Sequence, residues 1–157
     1  MRRPMVIAVI LGSLAGCGAP KMEPIGMPFY VEENQRCAGQ GTGQITGQAF
    51  LRTMVGEVRY AAGSQVVLWP DSAYSRKAAS MLVSGITPQP EGKLAAYERR
   101  TQADGEGEFE FTDLPACSYV VLTSVFWSIP DNGTQGGWLG SIVRVEEGKR
   151  AKVILTR

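Results

Sequence analysis

Ala103-Asp104-Gly105-Glu106-Gly107-Glu108-Phe109-Glu110-Phe111-Thr112-Asp113-Leu114-Pro115 is the stretch on which the fold turns. Asp104-Gly105 is a turn pair, because Asp can bond its own backbone and Gly tolerates positive φ. Phe109 and Phe111 then alternate with Glu108 and Glu110, so one face of an extended segment is apolar and the other charged. Leu114-Pro115 ends that strand at a corner. Tyr119-Val120-Val121-Leu122-Thr123-Ser124-Val125-Phe126-Trp127 reads as the long strand that follows.

Working outward from this stretch, the remaining signals are also β. Gln44 to Leu51 is a strand, with Gly47 allowing close backbone approach. Val58-Arg59-Tyr60 extends it or forms a short edge. Gln65 to Trp69 is apolar on both faces, as in a covered central strand, and Pro70 ends it. Ala95 to Gln102 reads as another strand, and residues 128–137 as a Pro/Asn/Gly loop. Ser141 to Val145 and Ala151 to Leu155, joined by Glu146-Glu147-Gly148-Lys149, read as a hairpin. One segment differs: Tyr74, Ala78, Met81 and Leu82 fall on a helical stripe, which predicts a short helix near 72–84 with Asp71 or Ser72 as its cap and Gly85 at its end. Seven strands and one inserted helix predict an all-β, antiparallel Greek-key sandwich.

The chain has 157 residues, 16 Lys+Arg, 15 Asp+Glu and no His. That length suits one domain, and a hydrophobic content of 44% can fill a core. A net charge of +1 offers no field that would recruit nucleic acid or an anionic membrane surface. Without His there is no Ser-His-Asp or Cys-His triad, no His-bearing zinc site and no His proton shuttle.

Arg2 and Arg3, the apolar run Met5 to Leu11 and the small residues that follow make a secretory signal, too short to span a bilayer. Leu14-Ala15-Gly16-Cys17 resembles the lipobox of bacterial lipoproteins. The resemblance implies cleavage between Gly16 and Cys17, diacylation of the Cys17 sulfur with palmitate-type chains, and a membrane as the first partner. Gly18 implies the outer membrane if the host is Gram-negative. More than one acyl chain is needed for a stable anchor. Removing residues 1–16 takes away two Arg and no acid, leaving 14 basic against 15 acidic side chains. Residues 17–40, rich in Pro and Gly, read as the lipidated Cys and a tether, which would hold the domain ~25–30 Å from the membrane on average. The domain is expected over 41–157. If Cys17 is lipidated, Cys37 and Cys117 remain, and the oxidising envelope is expected to pair them; two buried thiols are the alternative.

The strand residues resemble the carboxypeptidase regulatory-like domain, a transthyretin-like sandwich. Its first-strand pattern appears as Gly43, Ile45, Gly47 and Ala49, and its next as Val66 and Leu68. Its longest pattern appears as Thr101, Ala103, Asp104, Gly105, Gly107, Phe109, Phe111, Leu114, Pro115 and Tyr119. The resemblance covers roughly residues 41–157 and implies a fold, not a function. Two departures stand out: the segment from about 71 to 94 is long, and Cys117 stands where a Gly often precedes the Tyr. Transthyretin-like hydroxyisourate hydrolases use His, so a chain without His lacks that activity. Related surface domains form Lys–Asn isopeptide bonds, but the two asparagines, Asn34 and Asn132, sit in the tether and in a turn.

Asp104, Glu106, Glu108 and Asp113 raise calcium as a ligand, since hard cations take clustered oxygens. Their spacing does not match the D-x-[DN]-x-[DN]-G calcium loop, and a solvated strand face and turn is the simpler reading. No metal and no cofactor is therefore expected, nor a catalytic residue. Trp69, Trp127 and Trp138 have two readings. In the simpler one, Trp69 and Trp127 plug the core and Trp138 covers its end. In the other, Trp127 and Trp138 stack on sugar rings. The expected function is a non-enzymatic, lipid-anchored envelope protein whose sandwich is a structural or protein-interaction module; a glycan- or cell-wall-binding module is the alternative.

Overall fold

The computed structural model describes residues 21–157. The chain runs β1 (Met22–Pro24), α1 (Val31–Gln35), β2 (Gly43–Arg52), β3 (Val58–Tyr60), β4 (Gln65–Pro70), α2 (Ala73–Val83), β5 (Thr87–Gln89), β6 (Arg99–Gln102), β7 (Glu108–Leu114), β8 (Ser118–Ile129), β9 (Gly133–Arg144) and β10 (Arg150–Leu155). The fold is all-β, with two four-stranded sheets. In the first, β2 pairs with β10, β7 and β3; the second has the order β6-β4-β8-β9.

Alternation decides which side chains meet between the sheets. Ile45, Ala49 and Leu51 of β2, Phe109 and Phe111 of β7, and Val153 and Leu155 of β10 face Val66 and Leu68 of β4, Val121 and Val125 of β8, and Leu139 and Val143 of β9 in one core. The odd residues of β4 and the even residues of β8 point the other way. Val67, Trp69, Val120 and Leu122 join Tyr74, Ala78 and Met81 of α2 in a second core. The run of apolar residues in β4 is thus covered on both faces and central in its sheet. Trp69 lies in this second core, its Nε1–H donating to Glu98 Oε2 at 2.7 Å.

The quoted stretch folds as its pattern predicts. Glu108, Glu110 and Thr112 are exposed, and Phe109, Phe111 and Leu114 are buried. Asp104 Oδ1 accepts from the amides of Glu106 and Glu108 at 2.9 and 2.8 Å, which closes the turn. Gly107, at φ +74°, passes against the Ala49 carbonyl where β2 exchanges β7 for β3 as its neighbour. Gly47 lies under the Phe109 ring and beside Val153, with no room for a Cβ. Tyr119 Oη donates to the Pro115 carbonyl at 3.0 Å across the corner. α2 begins at the Ser72 cap, whose side chain accepts from Ser75 N, and ends before Gly85 at φ +80°.

Five expectations need correction. Strand pairing is not purely antiparallel and the described residues hold ten strands: β10 runs parallel to β2, and β1 parallel to β5. The segments 141–145 and 151–155 form no hairpin, because β9 pairs with β8 while β10 crosses to the other sheet. The turn at 146–149 is a sheet-to-sheet connection, and turn chemistry does not specify which strand comes next. Residues 128–137 are not a loop. The β8–β9 ladder continues to Ile129 opposite Gly133, and the turn lies at Pro130–Asn132, with Asp131 at φ 65°. Only part of 95–102 is strand: Gly92–Tyr97 is a 3-10 turn that places Leu94 and Tyr97 on one side, against the second core.

The fifth concerns the tether. Residues 22–37 fold onto the domain instead of standing free. Ile25 and Phe29 are buried in the second core, and the Phe29 ring meets Tyr74 edge-on at 5.3 Å. Asn34 is fully buried, with Nδ2 donating to the Tyr30 carbonyl. Cys37 forms a disulfide with Cys117, their Cα atoms 5.7 Å apart. The segment has no period to read, because a few isolated apolar side chains and one covalent bond hold it down.

Candidate functional site

The two candidate tryptophans are close in sequence and apart in space. β8 and β9 form a long ribbon in which Ser124 opposes Trp138 and Trp127 opposes Gln135. Side chains of directly opposed residues share a face. Trp138 therefore shares the face of Val120 and Leu122, toward α2, whereas Trp127 shares that of Val121 and Val125, toward the space between the sheets. They cannot form one stacking platform. Trp127 is half-buried and packs against the inter-sheet core, so the core-plug reading describes its inner side.

Its outer side borders a cleft. The β8–β9 ribbon projects past the end of its pairing with β4, and β2 runs out into the turn at 53–56. Between them lies a hollow of ≈ 660 Å³. Trp127 forms one wall, Leu51 part of the floor, and Arg52, Arg59, Gln135 and Arg157 the polar groups. Met54 and Val55 are exposed at the rim. Glu57 also lines it and pairs with Arg59 at 2.7 Å. Arg157 Nη2 donates to the Gly136 carbonyl at 3.0 Å, which holds its guanidinium against β9. Arg52 makes no ion pair among the described residues. The cleft is thus lined by an indole, an amide and three guanidinium groups against one side-chain carboxylate. Such a set suits a ring with a hydrophobic face and an oxygen-rich edge, since planar donors recognise hydroxyl and carboxylate oxygens.

Neither Arg52, Arg59, Gln135 nor Arg157 stands out in the sequence. They are spread over more than a hundred residues, and only the meeting of β2, β3, β9 and the C-terminal residue brings them together. Trp138 lines a second hollow on the other face of the ribbon, with Ile86 and Phe126, and Gly136 and Arg157 border both hollows.

Cys37 and Cys117 are joined, the pair that the sequence reading expects. Gly16 and Cys17 lie outside the described residues. The acidic residues 104–113 do not converge. Asp104 is spent on its turn, Asp113 Oδ2 accepts from Thr112, and among the described residues no three His, Cys, Asp or Glu gather as a metal site. No helix among the described residues is long and apolar enough to cross a membrane.

No family model matches this chain, and neither does any curated protein. Its fold is similar to the crystal structure of a proposed carbohydrate-binding protein from Pseudomonas aeruginosa, with a TM-score of 0.74 and 25% identity over 82% of this chain and 97% of that one.

Proposed function

We propose that this chain is a lipid-anchored protein of the bacterial envelope, sited at the outer membrane, whose β domain binds glycans in the Trp127 cleft. The observation that carries the reading is that cleft: one half-buried indole beside three arginines and an amide, where the β8–β9 ribbon projects past β4. Similarity to a proposed carbohydrate-binding protein supports it and moves the reading from a general interaction module toward a glycan module. An excess of guanidinium over carboxylate favours acidic glycans, whose carboxylates can take bidentate bonds from Arg52 and Arg157. The lipobox residues Leu14 to Cys17 support the anchor. The ordered placement of the motif residues on β2, β4 and β7 supports a transthyretin-like Greek key of the carboxypeptidase regulatory-like family. The domain binds and does not catalyse, since the cleft offers one carboxylate, already paired with Arg59, and no nucleophile held by a base.

Titration of the W138F protein with muropeptides, uronic-acid oligosaccharides and neutral oligosaccharides, read by Trp fluorescence, tests the proposal. Uronic-acid or muropeptide ligands should shift the emission, and Trp127→Ala should weaken binding about tenfold or more, the loss of one stacked ring. Unchanged emission with every ligand would overturn it.

A further inference from the structure

The opposite face of the same ribbon carries a second feature. Phe126 is 54% exposed and Ile142 50%, and both lie on the α2-facing side of the β8–β9 sheet with Trp138. Val83, at the end of α2, and Ile86, just after it, are each 37% exposed beside them. Ile86, Phe126 and Trp138 line one hollow of ≈ 480 Å³, and Val83 and Ile142 continue it along the helix. Trp138 is half-buried among them; exposed apolar side chains of this size standing together on a folded domain call for a partner.

The chain path says which partner. β1 pairs in parallel with β5, Met22 opposite Thr87. The chain therefore enters the described structure alongside Ile86 and Thr87, at the border of this patch, and Met22 itself is 55% exposed there. Cys17 lies only five residues before Met22. Fully extended, five residues span at most about 18 Å. Because residues 22–37 are folded down, the slack that a tether from 17 to 40 would have given is gone. A lipid on Cys17 holds the patch within that short reach of the bilayer.

The geometry points to the Phe126–Trp138 patch as a membrane-docking face: Met22, Val83, Ile86, Phe126, Trp138 and Ile142 rest in the bilayer interface beside the Cys17 acyl chains. The occupant is the interfacial zone of a phospholipid surface. Trp and Phe favour that zone because their flat apolar bodies sit among acyl chains and glycerol groups. Docking there turns the Trp127 face of the ribbon away from the membrane, leaving the cleft open to glycans. This inference rests on the lipid anchor proposed above but not on the glycan reading.

The test uses the full chain, expressed and lipidated, in phosphatidylethanolamine–phosphatidylglycerol vesicles with or without bromine on the acyl chains. The W127F protein leaves Trp138 as the reporter, with Trp69 buried. Bromolipid should quench its emission, as for an indole at interfacial depth, and W127F/W138F should show no such loss. I86S/F126S should float with the vesicles yet lose the quenching. Flotation and palmitate incorporation without quenching of Trp138 would overturn the docking face and leave the anchor standing. A concentration-dependent dimer that protects Trp138 from bromolipid would assign the patch to a second copy and also overturn it. Neither flotation nor palmitate incorporation would overturn both.

Discussion

Tyr119 concentrates several demands on one residue. Its ring is buried in the inter-sheet core and its hydroxyl reaches the Pro115 carbonyl, as in the tyrosine corner of other sandwiches. Burial pushes its hydroxyl pKa up to about 12, with the Arg99 cation acting in the opposite direction. A folded pKa above the ordinary value of 10.0 means that the native state keeps its proton longer than the unfolded chain. The stabilisation is complete below pH 10 and is lost as pH rises toward 12. Chemical denaturation at pH 9 and 11.5 should show the wild type losing stability across that window more steeply than Tyr119→Phe. At neutral pH the variant should be weaker by about 1 kcal/mol, for the hydrogen bond lost. The role of this Tyr was legible in the sequence, because the corner signal Leu114-Pro115 precedes it by a fixed few residues. The partners of Trp127 were not, because Arg52, Arg59 and Arg157 look like any solvated arginine until the sheets bring them to one rim.

Among the elements, those governed by local chemistry were legible. The stripe Tyr74, Ala78, Met81 faces the second core, and Ser72 makes a reciprocal cap with Ser75, whose hydroxyl also donates to the Pro70 carbonyl at 2.6 Å. Ser72→Ala should therefore cost about 1.5–2 kcal/mol, the upper end of the usual range, because the cap is buried. Urea denaturation checks this, and an unchanged midpoint would mean that Ser75 caps the helix alone. The alternating Glu and Phe of β7 were equally legible. The β8–β9 ribbon was not. Its Pro, Asn and Gly residues are loop-like by composition, yet twelve cross-strand pairs extend to its tip. Cooperative pairing with β8 overrides weak propensity in β9, and this extension puts Trp127 and Trp138 on opposite faces.

At the scale of the molecule, the Cys37–Cys117 bond ties the N-terminal segment to the corner before β8 across 80 residues. A loop of that length loses about 4–5 kcal/mol of unfolded-state freedom in the chain-entropy account. Dithiothreitol should lower the melting temperature markedly, and C37S/C117S should reproduce the reduced value in either redox state. Thiol titration of unreduced, denatured protein should find neither cysteine free. The same bond holds residues 22–37 against α2, which changes the proposed relation to the membrane from a free tether to close apposition.

The sequence by itself determined the all-β class, the helix and its cap, the turn at Asp104, the inward Phe pair and the covered central strand. Each follows from contacts within a few residues or from period-two alternation, which a chain carries openly. Only the tertiary structure decided that β10 runs parallel to β2, that the N-terminal segment packs down, that the two tryptophans part company and that three distant arginines share a cleft. Those outcomes depend on which surfaces meet across long sequence separations. Burial of apolar area drives such meetings, and because it carries no direction along the chain, no local pattern records them.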